Sequence, residues 1–153
     1  MDLKKTALVA EILGGVGIIV SILYLGFEVS RNSKNTEISN HLALVEQIGA
    51  MRMLHMTDET MSVIILNGAA DLSALTDVER DQFSWYTQHT FDLWETSLLM
   101  YERDGLPVGT WNLWNNGWCE FVRKPGFIEV WESGMSENFT AHFRDNVNIC
   151  FER

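Results

Sequence analysis

The residues best suited to chemistry are four histidines, His41, His55, His89 and His142, set among Glu37, Glu46, Asp92 and Glu95. Helical proteins build carboxylate–histidine metal sites from such residues, with a Glu three positions ahead of the His. Here those positions hold Ile38, Arg52, Tyr86 and Phe139, so the pairing never occurs. Glu37 stands four before His41 and Asp92 three after His89, spacings that are ordinary on a solvated helix face. No metal and no cofactor are expected. The two cysteines, Cys119 and Cys150, form no C-x-x-C pair and no zinc spacing with histidine. Glu120 beside Cys119 opposes the thiolate that a nucleophile needs. The pair forms one disulfide if the domain is exported, or else serves as small buried hydrophobes. There is no G-x-S-x-G elbow. Gly14-Gly15-Val16-Gly17 is glycine-rich but lacks the Lys-Ser/Thr of a phosphate loop.

The remaining chemistry is aromatic. Trp111, Trp114 and Trp118 recur at helical spacing, and Trp94 lies on the helix before them. Such a stripe fills a core, lines a ligand pocket or a protein groove, or sits at a membrane interface. Core is the ordinary reading, and tryptophans left exposed would shift weight to an interface.

These residues must be positioned by helices, because no segment shows the alternation of a strand. The first helix is the clearest. Between Glu11 and Glu28 lie sixteen uncharged residues, Ile12 to Phe27. As a helix they span about 24 Å. Including Ala7–Ala10 and Val29 brings the length up to the roughly 30 Å of a bilayer core. A signal peptide and a buried core helix are the competing readings. The run is long for either, and no A-x-A-like cleavage site follows it. Ala7, Ala10, Gly14, Gly17, Ser21, Tyr24 and Glu28 step by three or four and share one stripe. Small residues at that spacing let a second transmembrane helix approach, from another copy or another subunit. Lys4, Lys5 and the terminal amine flank one end, and Arg31 and Lys34 the other, so positive charge selects no firm orientation.

Downstream, Arg31–Asn35 is a polar hinge or the wet continuation of the first helix. Ile38, Leu42, Val45, Ile48 and Gly49 follow helical spacing and are predicted to face the core of a helix ending near Met56. Thr57 is a predicted N-cap, and Asn67-Gly68 a predicted stop. Thr76-Asp77-Val78-Glu79 is a capping box opening a helix over about 77–103. Its inner stripe is Phe83, Thr87, Thr90, Phe91, Trp94, Leu98 and Tyr101. Gly105 and Pro107 end it. A tryptophan helix over about 110–123 follows, then a short helix opened by Pro125. Ser136 is predicted to cap the last helix, with Phe139, Phe143 and Val147 inward.

Charge bounds the partners. The chain of 153 residues carries a net −10. Residues 1–34 hold four basic and three acidic residues, leaving seven basic and eighteen acidic in residues 35–153, a net −11 for that part. So acidic a body repels phosphate, which argues against nucleic acid, and stays soluble.

Four stretches resemble a known family: ILYLGFEVSRNSK at 22–34, LTDVERDQF at 75–83, YERDGLPVGTWNLWNNGW at 101–118 and KPGFIEVWE at 124–132. They are similar to a family of small, uncharacterised bacterial membrane proteins with one N-terminal transmembrane helix and a helical, Trp-rich soluble domain. The motifs are caps, turns and core positions rather than catalytic residues. The resemblance therefore implies architecture and bacterial origin but no activity. Relatives carry more positive charge after the membrane helix, which implies a cytoplasmic domain.

The expected fold is all-α: an N-terminal transmembrane anchor over 1–34, then a small irregular helical bundle over 35–153. The expected function is a membrane-anchored interaction or accessory protein, either a small subunit of a larger membrane complex or a homo-oligomer. Its partners would be the bilayer and another transmembrane helix, packed at Ala10, Gly14, Gly17, Ser21, Tyr24 and Glu28. The alternative is a membrane-tethered sensor holding a small apolar ligand among Trp94, Trp111, Trp114 and Trp118. An enzyme is the third reading.

Overall fold

The computed structural model describes residues 3–152, with side chains at Glu11 and from Leu13 onward. It is all-α: six helices and two short 3-10 turns, with no strand among the described residues. The helices are α1 (Leu3–Thr57), α2 (Glu59–Ala70), α3 (Asp77–Glu102), α4 (Val108–Val122), α5 (Pro125–Glu132) and α6 (Ala141–Phe151). The chain divides into two units, Met1–Ile38 and Ser39–Arg153. Arg31–Asn35 is helical, so the polar segment continues α1 rather than hinging it.

In the first unit the apolar run Leu13–Val29 lies wholly exposed. It is long and apolar enough to cross a membrane, and none of it is buried within the protein. Ser21 donates its hydroxyl to the Gly17 carbonyl at 2.8 Å. That bond satisfies the Ser21 hydroxyl inside its own helix.

The second unit is built around α3. Its capping box forms: the Thr76 hydroxyl accepts from the Glu79 amide, and the Glu79 carboxylate accepts from the Thr76 amide at 2.8 Å. The inner stripe is buried from Phe83 through Leu98, with Tyr101 half-buried at its end. At the centre the Phe91 ring lies 4.5 Å from Trp131 of α5. Phe139 and Phe143 stand edge-on to it, 6.0 and 6.4 Å away. Rings this size stabilise a core by about 1.5–3 kcal/mol each on burial, and edge contacts add to that.

Several local expectations shift. The inward stripe of α1 in this unit is Leu44, Ile48 and Met51, with His41 and His55 half-buried beside it. Leu42 and Val45 are exposed, and so is Ile38 at the end of the first unit. Both stripes have helical period and share Ile48, so period alone could not choose between them. The N-cap of α2 is Asp58, which accepts from the Met61 amide at 3.0 Å. Thr57 instead donates back to the Met53 carbonyl at 2.7 Å. Asn67-Gly68 does not stop α2, which runs on to Ala70. Gly68 is there for closeness: a Cβ on it would lie 2.6 Å from the Phe83 ring. Gly126 of α5 presses on the same place, where a Cβ would come 1.7 Å from the Gly68 carbonyl oxygen. Thr140, not Ser136, caps α6, while Ser136 lies in a 3-10 turn. Thr140 also donates to the Glu95 carboxylate of α3 at 2.7 Å, which fixes where α6 begins.

Candidate functional site

The four tryptophans singled out by spacing part company. Trp94 is fully buried, and its indole N–H donates to Asn115 Oδ1 at 2.8 Å. Asn146 of α6 donates to the same oxygen at 3.0 Å, so one amide joins α3, α4 and α6. Trp111 is buried and stacks on Tyr101 with ring centres 5.4 Å apart. These two belong to the core.

Trp118, also in the core, and half-buried Trp114 stand together, with ring centres 6.4 Å apart, at a groove of about 500 Å³. α1 forms one wall with Ile48, Met51, Arg52, His55 and Met56. Opposite it, α4 contributes Leu113, Gly117 and Phe121 beside the two tryptophans, and α3 contributes Tyr86. The groove is partly open to solvent. Its lining is apolar except for Arg52 and His55 and the Tyr86 hydroxyl, and it includes no carboxylate. Burial pushes the Tyr86 phenol above its ordinary value, so it stays neutral and adds no negative charge. The indole N–H of Trp118 and Nδ1 of His55 are buried without a hydrogen-bond partner among the described residues. Spacing alone could find Trp114 and Trp118. It could not find Arg52 or His55, because they enter only through the corrected face of α1.

The α4 wall is braced from behind. Cys119, next to Trp118, is disulfide-bonded to Cys150 of α6, with their α-carbons 5.6 Å apart. Both cysteines are buried.

The histidines do not converge. His142 pairs with Glu102 at 2.9 Å on the surface, and His41 packs edge-on to Trp114. Among the described residues no three His, Cys, Asp or Glu side chains gather to hold a metal ion.

The small-residue stripe of the first unit lies open. Cβ atoms built on Gly14 and Gly17 meet nothing within 4 Å. Tyr24 and Glu28 are exposed. Ala10 lies in α1, but its side chain falls outside the described residues. Compared with family models, curated proteins and solved structures, the chain matches none.

Proposed function

We propose that this is a single-pass, membrane-anchored interaction protein of a bacterium that works as a homo-oligomer or as a small subunit of a larger membrane complex. The observation that carries the reading is apolar surface left uncovered on α1 beyond the membrane run. Leu42, Val45, Met53 and Met56 are each at least 44% exposed. They follow the polar segment Arg31–Asn35, so the hydrocarbon that covers Leu13–Val29 does not account for them. Trp85, exposed on α3, is a further interface residue. Within the bilayer, the open stripe at Gly14, Gly17, Ser21 and Tyr24 gives a second helix room to approach.

The Cys119–Cys150 bond favours placing the domain on the oxidising side of the membrane, because disulfides rarely persist in a reducing cytoplasm. Lys4 and Lys5, ahead of the apolar run, would then lie on the cytoplasmic side. This reading replaces the cytoplasmic placement that the family resemblance implies.

The test is the mass and composition of the full-length protein extracted in mild detergent from its own cells. The wild type is expected to run with a stoichiometric partner or as a multimer. Leu42→Glu with Val45→Glu, or Gly14→Leu with Gly17→Leu, is expected to return it to a monomer. A wild type that already runs as a bare monomer, or variants that leave the mass unchanged, would sink the proposal. A second reading, the sensor of a small apolar ligand, is favoured by the groove beside Trp114 and Trp118.

A further inference from the structure

The groove between α1, α3 and α4 has an electrostatic character that the rest of the domain lacks. Residues 35–153 hold eighteen acidic and seven basic residues. Yet among the described residues no carboxylate lines the groove, and its only permanent charge is the Arg52 guanidinium. Arg52 makes no ion pair and no hydrogen bond among the described residues. Its planar fork matches a carboxylate. The floor offers Ile48, Met51, Trp118 and Phe121 to an acyl chain, and about 500 Å³ is within the ordinary range for a small-molecule site.

From these features we infer that the groove binds a free fatty acid, its chain on the aromatic floor and its carboxylate at Arg52. The inference rests on the sensor reading and commits it to one class of ligand. The chain supplies affinity through apolar burial. The cation selects an acid over the matching alcohol against the repulsion of an acidic domain.

All six tryptophans lie at Trp85 or later, outside the membrane run, so indole emission reports on the domain alone. The experiment places the full-length protein in phosphatidylcholine nanodiscs and titrates 12-bromododecanoic acid, whose bromine quenches a nearby indole. Dodecanoate, decanoate, dodecanol and a twelve-carbon lysophosphatidylglycerol then compete against it. Saturable quenching is expected, reversed by dodecanoate. Loss of two methylenes in decanoate is expected to weaken competition roughly tenfold. Arg52 is exposed, so Arg52→Gln is expected to weaken dodecanoate only about three- to fivefold while leaving dodecanol unchanged. Gly117 lines the groove with open space at its Cβ. Gly117→Leu therefore places a side chain in the groove without displacing a neighbour at its Cβ, and is expected to abolish quenching at a melting temperature no lower than the wild type's.

No saturable quenching, or full quenching in Gly117→Leu, would overturn both the inference and the sensor reading. Dodecanol competing as well as dodecanoate, with Arg52→Gln silent, would overturn the fatty acid alone and leave an apolar site. The lysophospholipid outcompeting dodecanoate would overturn it in favour of a membrane lipid.

Discussion

Gly126 and Gly117 are both helical glycines, and their surroundings set them apart. Gly126 presses its α-carbon against the Gly68 carbonyl, where an added Cβ would lie 1.7 Å from the oxygen. Backbone cannot swing aside as the tip of a side chain can. Gly126→Ala is therefore expected to lower unfolding stability by about 3 kcal/mol or more, at the upper end for overpacking. Gly117→Ala meets nothing within 4 Å and replaces a helical glycine. It is expected to raise stability by about 0.5–1 kcal/mol. Chemical denaturation of the two variants checks the contrast, and equal effects would show that α2 and α5 do not approach as described. The sequence identifies Gly68 as a stop because Asn-Gly commonly ends helices. Its packing role is invisible until Phe83 and Gly126, distant in the chain, come to lie beside it. Trp94 and Trp118 teach the same lesson. Spacing marks both as inward-facing, but only the third dimension supplies Asn115 to one indole and nothing to the other.

Capping signals are read unevenly at the scale of elements: Thr57, Ser136 and Asn67-Gly68 each miss their boundary by a few residues. The Thr76–Glu79 box starts α3, and Pro125 starts α5, where the sequence places them. Their partners lie within a few residues, so local chemistry suffices. Thr76→Ala is expected to cost about 1 kcal/mol. Acid sensitivity belongs here too. The Thr76 backbone amide and hydroxyl hold the Glu79 carboxyl below its ordinary range, and the Ser73 hydroxyl and amide do the same for Asp71. A carboxyl depressed in the folded state contributes its full stability above the unfolded-state value. That contribution fades as pH falls through the lower, folded one. Glu79→Gln is therefore expected to flatten the acid limb of a melting-temperature profile and leave its shape near neutrality unchanged. An unaltered acid limb would show that the box does not titrate. The face of α1 was harder to read, since Leu42 and Val45 are as apolar as Leu44 and Met51. Which stripe turns inward is decided by packing against the distant aromatics of α4, including Trp114 on His41.

At the scale of the whole molecule, the all-α class and the apolar N-terminal run follow from the sequence, because period and length are local properties. Whether the two cysteines join does not, since Cys119 and Cys150 stand 31 positions apart in the chain. Closing a loop of that length stabilises a fold by roughly 3–4 kcal/mol on the chain-entropy account. Replacing both cysteines with serine is expected to cost about that much. On cells quenched in acid and then denatured, a maleimide-polymer gel-shift assay is expected to leave both cysteines unlabelled until a reductant is added. Labelling without reductant would place the domain in a reducing compartment. The same bond has a further consequence for α6. The helix is held at its start by Thr140 on Glu95 and at its end by Cys150 on Cys119. If the domain lies outside the cytoplasm, as proposed, it meets proteases, and the exposed turn at Gly134 is an inviting place to cut. A cut there would not release the C-terminal piece. The severed chain would stay joined through sulfur, and the damage would show only once a reductant was added.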